Sequence, residues 1–385
     1  MVRLTRVEQQ ERTRKAVLTA AREEFVEHGY ALAKIDRIAD RAELTRGAVY
    51  SNFPGKRALY LAVLVALVEG AEAGGPPRPP GSLADALGGF ARTWLERLPL
   101  ADDTASGGRL QLRSLVGVVD DEQGRTVLAQ LARLEALLLA IGFESCQADQ
   151  KGGPDSWLDD GATRRVRLAE LVLTMLGGSA SLAEMAPGFG DPFDRARACE
   201  HLAGLDLGDA WAPSYLPHVE PAEPVRDPWN PPSELVDEIA GGAVDLGADG
   251  LISVLGAHRL GAAEEAVRSV LPGEQAMVVV VMSDPAETSN LVRLRVGDLV
   301  RSLRRVFGPA PWRHVRLVID DGAVAASATG LTEVDDDTQA AVRIRDGLIT
   351  ARAQGLGAAY AVAVADPGTD IERAHGQAPS PARVK

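Results

Sequence analysis

IDRIADRAELTRGAVYSNFPGKR, residues 35–57, reads as two short helices joined by a tight turn, with the basic start of a further helix behind them. Ile35, Ile38, Ala39 and Ala42 recur at i, i+3, i+4 and i+7, so they share one face of the first short helix. That helix ends in Ala42-Glu43-Leu44. Thr45 is a good N-cap, because its side-chain oxygen can accept an otherwise orphaned backbone N–H, and Arg46 to Asn52 then form the second helix. Ala48, Val49 and Phe53 turn toward a core. Thr45, Arg46, Gly47, Tyr50, Ser51 and Asn52 are small or hydrogen-bonding, which suits a helix laid in the major groove of DNA.

Working outward, further landmarks fall into place: Ala20-Ala21 and Phe25 in a preceding helix, Gly29-Tyr30 after it, and Lys56 with Leu59 beyond Phe53. Taken with Ile38-Ala39, Gly47 and Val49-Tyr50, these residues resemble the DNA-binding domain of the tetracycline-repressor (TetR) family of one-component bacterial regulators. The resemblance covers residues 8–70. Over 80–207 it is one of helical texture and length, and beyond that it stops. One departure is Ala33-Lys34, where the family usually has Thr or Ser before its second helix; this removes the capping or phosphate contact expected there and leaves Lys34 as a candidate for a phosphate contact of its own. The resemblance implies a homodimer on a palindromic operator, released by a small-molecule inducer. Arg46 would read a base or phosphate, Tyr50 and Lys56 would hold phosphates, and Thr45 and Ser51 would fix the helix against the DNA backbone.

Charge is divided unevenly along the 385 residues. Residues 1–67 carry 12 Lys+Arg against 8 Asp+Glu, and the remainder 29 against 46. A positive N-terminal unit on an acidic body is the pattern of a nucleic-acid reader, since only the basic part can replace phosphate counterions. Arg3, Arg6, Arg12, Arg14 and Lys15 open the first helix as a solvated face or as an arm reaching DNA. The apolar run Leu61 to Val68 is far shorter than the ~20 residues of a membrane span. No secretory signal follows the early arginines, so a bacterial cytoplasmic location is expected. Cys146 and Cys199, the two cysteines, have no metal or redox spacing and read as buried thiols.

In chain order, a first helix is expected over Glu8–His28, closed by Gly29. Pro54-Gly55 break the chain, and Lys56 starts a fourth helix running to about Glu72, where both its charge and the helix N-terminus favour a phosphate. The head is placed at 1–73. Gly74 to Gly81, rich in proline, is a hinge or loop between the fourth helix and the body. A helical ligand-binding and dimerisation domain follows over 82–207, with helices at Ser82–Leu98, Arg109–Val119, Gly124–Phe143, Ala162–Glu184 and Asp194–Leu205. The run Leu168 to Leu182 is apolar around most of its circumference, so it needs covering on most sides. The family resemblance puts the dimer interface at about 162–205. It implies an inducer pocket among the other helices, for which Trp94, Leu112, Leu115, Leu131, Leu134, Leu138, Phe143, Trp157 and Met175 are candidates; the alternative for each is plain core.

Residues 208–232 hold seven prolines and read as an extended, partly polyproline linker. The pattern beyond is mixed. A strand at Met277–Met282, a helix at Ala286–Phe307, strands at Val315–Ile319 and Ala323–Ala328 about an Asp320-Asp321-Gly322 turn, a helix at Asp335–Gln354 and a strand at Tyr360–Ala365 give the order βαββαβ. The fold class is therefore an all-α head and body followed by a small α+β domain over 233–366, ferredoxin-like in order. Val278 to Val281 are apolar on both faces, so a helical 234–271 segment or a second subunit is expected to cover the far side. A disordered tail is expected over 367–385.

No cofactor, metal or catalytic centre is legible. Asp320-Asp321 and Asp335-Asp336-Asp337 sit at a turn and a helix start, where structure accounts for them. Gly256 to Gly261 and Gly355-Leu356-Gly357 lack the context of a phosphate loop or dinucleotide fingerprint. Arg293, Arg301, Arg304 and Arg305 line one side of a helix, either as a solvated face or as a site for an acidic partner or ligand. Two readings of function stand: a ligand-responsive homodimeric repressor, not an enzyme, with double-stranded DNA as partner; or a DNA-targeted protein whose C-terminal domain is an enzyme or separate effector-binding module.

Overall fold

Thr5 and Glu8 start the chain's first helix reciprocally. The Thr5 hydroxyl accepts the Glu8 N–H at 3.2 Å and the Glu8 carboxylate accepts the Thr5 N–H at 2.7 Å. The computed structural model describes residues 5–71, 79–98, 110–151, 164–209, 211–233, 235–271 and 273–365. Arg3, most of the proline-rich hinge, Trp157 and the tail 367–385 lie outside them. Helix α1 spans Arg6–Leu32 but is broken at Gly29, whose φ of 66° and ψ of 171° are non-helical, at the residue expected to close it; a short further turn runs on to Leu32. Then come α2 (Ile35–Arg41), α3 (Arg46–Asn52) and α4 (Lys56–Glu69). Phe25 meets Tyr60 edge-on at 4.9 Å between ring centres, and Tyr30 meets Tyr60 at 5.0 Å, which clamps α1 to α4.

The body has α5 (Leu83–Leu95), capped by Ser82, then α6 (Glu122–Lys151), α7 (Val166–Met185) and α8 (Pro192–His201). The helix expected over Arg109–Val119 is only a turn at residues 110–112 among those described. Arg113, at φ 55°, ends it, because a left-handed residue cannot continue a right-handed helix. Two stretches, Glu122–Cys146 of α6 and the whole of α7, are long and apolar enough to cross a bilayer by length and composition. Their apolar windows are 67% and 39% buried in the fold.

A six-stranded mixed sheet follows, in the order β1-β6-β5-β2-β3-β4. Its strands are β1 (Glu223–Pro228), β2 (Gly250–Gly256), β3 (Gln275–Val281), β4 (Val315–Ile319), β5 (Gln339–Arg345) and β6 (Leu348–Gln354). β2, β3 and β4 are parallel, while β5 runs antiparallel to β2 and to β6, and β6 to β1. Helices α9 (Ala263–Arg268), α10 (Thr288–Phe307), α11 (Val324–Ala328) and α12 (Ala358–Val364) complete the unit.

This sheet replaces the ferredoxin-like order. Asp335–Gln354 is a hairpin and not a helix: Asp346 and Gly347 both take positive φ, 52° and 72°, as a two-residue hairpin turn requires. Asp320-Asp321-Gly322 is not a hairpin turn. Asp320 accepts the N–H groups of Val324 (2.9 Å) and Ala326 (3.0 Å) and so starts α11 where a strand was expected. Ala358–Val364 is helix, not strand. The 208–232 segment is no free linker, since it supplies the bulged edge strand β1, a position where proline's missing N–H can face outward. The far side of the sheet is covered by Trp229, Leu246, Ala325 and Ala326, from the chain itself but not from a long helix.

One apolar core runs from Val17 of α1 to Val362 of α12. Its keystone is α10, whose Leu291, Leu294, Leu299, Leu303 and Phe307 are buried where it packs on α4, α5 and α6. Phe307 sits between Phe143 (6.1 Å) and Trp312 (6.0 Å), and Trp312 Nε1 donates to the Leu138 carbonyl at 3.0 Å. Arg295 of α10 makes two hydrogen bonds to the buried Glu135 of α6, at 2.8 and 2.5 Å.

Candidate nucleic-acid interface

Helix α3 is seated by one apolar anchor and one cap. Val49 is 1% exposed, and the Thr45 hydroxyl accepts the Ala48 N–H at 3.2 Å. Thr45, Arg46, Gly47, Tyr50 and Ser51 are exposed together on the opposite side, with Asn52 half-buried. The Ser51 hydroxyl and the Asn52 amide both donate to the Ala48 carbonyl at 2.9 Å, so they line the rim of this face. The Arg46 guanidinium lies 5.4 Å from the centre of the Tyr50 ring and 3.3 Å from Asp36. The Tyr50 hydroxyl, then the Asp36 charge, raise its pKa. It therefore remains a cation aimed across the face, able to exchange Asp36 for a base edge or phosphate.

Lys34 is exposed at the N-cap of α2, where its side chain makes no cap hydrogen bond. Its backbone N–H is taken instead by the buried Glu24 carboxylate at 3.0 Å, which also accepts Arg37 Nε at 2.6 Å. That carboxylate compensates for the missing Thr or Ser and locks α1 to α2. Glu24, Glu27 and His28 bring three ligand atoms within 4.8 Å, but Glu24 is committed to Lys34 and Arg37, and Glu27 to Arg41. Lys56 differs from the other candidates. Its Nζ donates to the Ala31 carbonyl at 3.1 Å and lies 4.8 Å from the Tyr30 ring centre, and burial lowers its pKa.

A carboxylate of the chain itself stands at the start of α4. Glu287 lies 3.4 Å from where a Gly55 side chain would begin and is ion-paired with Arg57, which also binds Asp121. Neither acid is near α4 in sequence, so no pattern in the chain announced them.

The family described as "Bacterial regulatory proteins, tetR family" matches residues 17–63, the span that builds the core of the head and presents α3. Residues 17–63 are a TetR-family N-terminal domain. The HTH-type transcriptional regulator SrpR of Pseudomonas putida is 47% identical over 64 residues, 17% of this chain and 30% of SrpR. The HTH-type transcriptional activator FasR of Mycolicibacterium smegmatis is 49% identical over 51 residues, 13% of this chain and 23% of FasR. The match thus spans less than a third of either relative. The crystal structure of NalD from Pseudomonas aeruginosa aligns over 52% of this chain and 99% of its own, at 20% identity and a TM-score of 0.31.

Behind the TetR-type head, the pocket candidates separate. Trp94, Leu112 and Leu115 line a cavity of about 390 Å³, with Leu128 of α6, Gly177 of α7 and Leu294 of α10. Leu131, Leu134, Leu138 and Phe143 are fully buried core, and Met175 packs on that core without reaching the cavity. Trp157 is outside the described residues. The sequence reading missed Arg97, Arg113, Arg295 and Asp298 at this cavity. The arginine row of α10 was the available signal, and it is no solvated face: Arg293 binds Glu238 and Asp321, Arg304 donates to the Ile239 carbonyl, and Arg305 pairs with Glu96.

Proposed function

We propose that the chain is a homodimeric, ligand-responsive transcriptional regulator, acting as a repressor, whose paired TetR-type heads bind a palindromic double-stranded DNA operator. The observation that carries this is the exposed, hydrogen-bonding face of α3 from Thr45 to Ser51, held rigidly over a closed head. In a two-fold dimer the α3 helices would enter successive major grooves about 34–36 Å apart.

Dimerisation through α7 and α8 is supported by the apolar side chains that these helices and the turn between them leave uncovered: Leu171, Leu182, Met185, Phe189 and Phe193. Gly178 of α7 is exposed and an added Cβ there meets nothing within 4 Å, so a second copy could approach α7 closely at that point. An inducer would occupy the cavity of about 390 Å³, which touches α5, α6, α7 and α10 together, and shift the population toward a head spacing that fits DNA poorly. The α/β unit acts here as a covering part of the regulator and not as an enzyme. Its buried Asp320 is used to start α11, and Asp336 accepts from Ser283 and Gln123.

Footprinting on the DNA flanking the chain's own gene, with sedimentation in parallel, tests this reading. A protected palindrome and a dimer that Phe193→Asp converts to monomer are expected. A monomeric wild type, or equal affinity for a protected site and random competitor, would overturn it.

A further inference from the structure

Helix α4 leads out of the head, and from Ala58 to Val65 every one of its residues is buried. That run is about two turns long, so the helix has no solvent face there and needs neighbours all round it. Helix α1 of the head covers one side, and α10 of the α/β unit covers another. Whatever holds α4 therefore holds the head.

The two helices run in the same direction and are fastened to each other at both ends. At the start of α4, Arg57 is ion-paired with Glu287, the residue before α10, and also with Asp121, the residue before α6. Near its finish, Nη1 of Arg301 of α10 donates to the Val68 carbonyl at 2.9 Å. That carbonyl lies in the last turn of α4, where a helix has no N–H of its own left to offer it. One turn earlier in α10, Gly297 faces the same residue: a Cβ there would stand 3.4 Å from Cγ1 of Val68.

The charges at these two ends match the α4 dipole. A carboxylate stands at its positive N-terminus and a guanidinium at its negative C-terminus, and both come from the α/β unit.

We propose that α10 is a splint on α4: the head and the α/β unit move as one rigid body, and the head is re-aimed only when α10 shifts along or away from α4. Contacts at both ends leave α4 no tilt of its own, so a signal that reaches the head has to displace Glu287, Gly297 and Arg301 together. That the aim of the head controls operator binding rests on the regulator reading above; the splint itself does not.

The test is a distance measurement by pulsed electron resonance on the full chain without DNA. Spin labels go on Asp40→Cys in α2 of the head and Arg226→Cys in β1, both exposed positions, while the native Cys146 and Cys199 are buried. An excess of unlabelled chain restricts the signal to distances within one molecule. The wild-type background should give one narrow peak. Gly297→Leu, which drives a side chain into Val68, should lose that peak to a broad distribution with an unchanged circular dichroism spectrum, and Gly297→Ala should keep it. If the leucine variant does not fold, Glu287→Gln combined with Arg301→Gln removes the two end contacts instead and should broaden the peak in the same way. A broad distribution in the wild-type background, or a narrow peak in the folded disrupted variant, overturns the proposal. Because no DNA is present, a failure of the regulator reading would leave this result unchanged.

Discussion

The guanidinium of Arg57, at the second position of α4, is held by the carboxylate of Glu287, the residue immediately before α10. A contact between residues 230 positions apart thus places the α/β unit at the end of the head where anions are favoured. If the head binds DNA, Glu287 competes with phosphate for Arg57 and for the start of α4. Glu287→Gln is expected to tighten operator binding several-fold at low salt and to steepen the salt dependence by about one phosphate contact, a slope of roughly 0.9. Fluorescence anisotropy at several salt concentrations measures both. Affinity equal to or below that of wild type would show that the pair does not oppose DNA.

Trp312, edge-on to Phe307 of α10, joins the sheet unit to the body through its bond to the Leu138 carbonyl. Trp312→Ala should cost about 3–5 kcal/mol, as other large-to-small changes of buried aromatics do. Trp312→Phe, which keeps most of the volume but loses the N–H, should cost about 1 kcal/mol. An isolated 233–366 fragment, with the apolar side of α10 stripped of α4, α5 and α6, should show no cooperative transition. Urea denaturation decides all three, and a sharply folding fragment would contradict the shared core.

Gly47 lies on the exposed face of α3, and a Cβ there would meet nothing nearer than the Thr45 hydroxyl at 3.8 Å. Gly47→Ala should therefore stabilise the free protein by roughly 0.5–1 kcal/mol, the usual gain of alanine over glycine in a helix. The same methyl would stand between α3 and the groove, so operator affinity should fall. A variant that gains thermal stability and binds DNA as well as wild type would remove Gly47 from the interface.

Glu265 is buried in α9, where its carboxylate accepts from the Tyr215 hydroxyl at 2.7 Å and the Tyr360 N–H at 3.1 Å. Burial raises its pKa and outweighs the lowering by those bonds. A folded pKa above the unfolded value means that the folded chain holds this proton more tightly. The stabilisation is complete below the unfolded value, about 4.3 for glutamate, and is lost as pH rises through the raised one. Glu265→Gln, uncharged throughout, should flatten the fall in melting temperature above pH 4.3 relative to wild type. Parallel slopes in both proteins would mean that this carboxyl does not titrate as its burial implies.

The head was legible because its information is local. The i, i+3, i+4 rhythm of Ile35 to Ala42, the Thr45 cap and the glycines act within a turn or two of themselves, and α3 starts and stops where those residues place it. The sheet was misread where local signals competed. Asp320 could serve a turn or a helix cap, and the Asp346-Gly347 hairpin lay inside a stretch whose acidic start looked helical. Edge strand β1 could not be read from a proline-rich run until β6 was there to pair with it.

By itself, then, the sequence determined the DNA-binding type of head, its basic charge and the exposed residues of α3, since helix periodicity and capping need no distant partner. Tertiary structure decided that the α/β unit is built into the body through α10, that Glu287 closes on Arg57, and that Arg301 closes on the Val68 carbonyl. These depend on burial and charge brought together across more than two hundred residues, a distance over which no spacing rule in a single chain carries information.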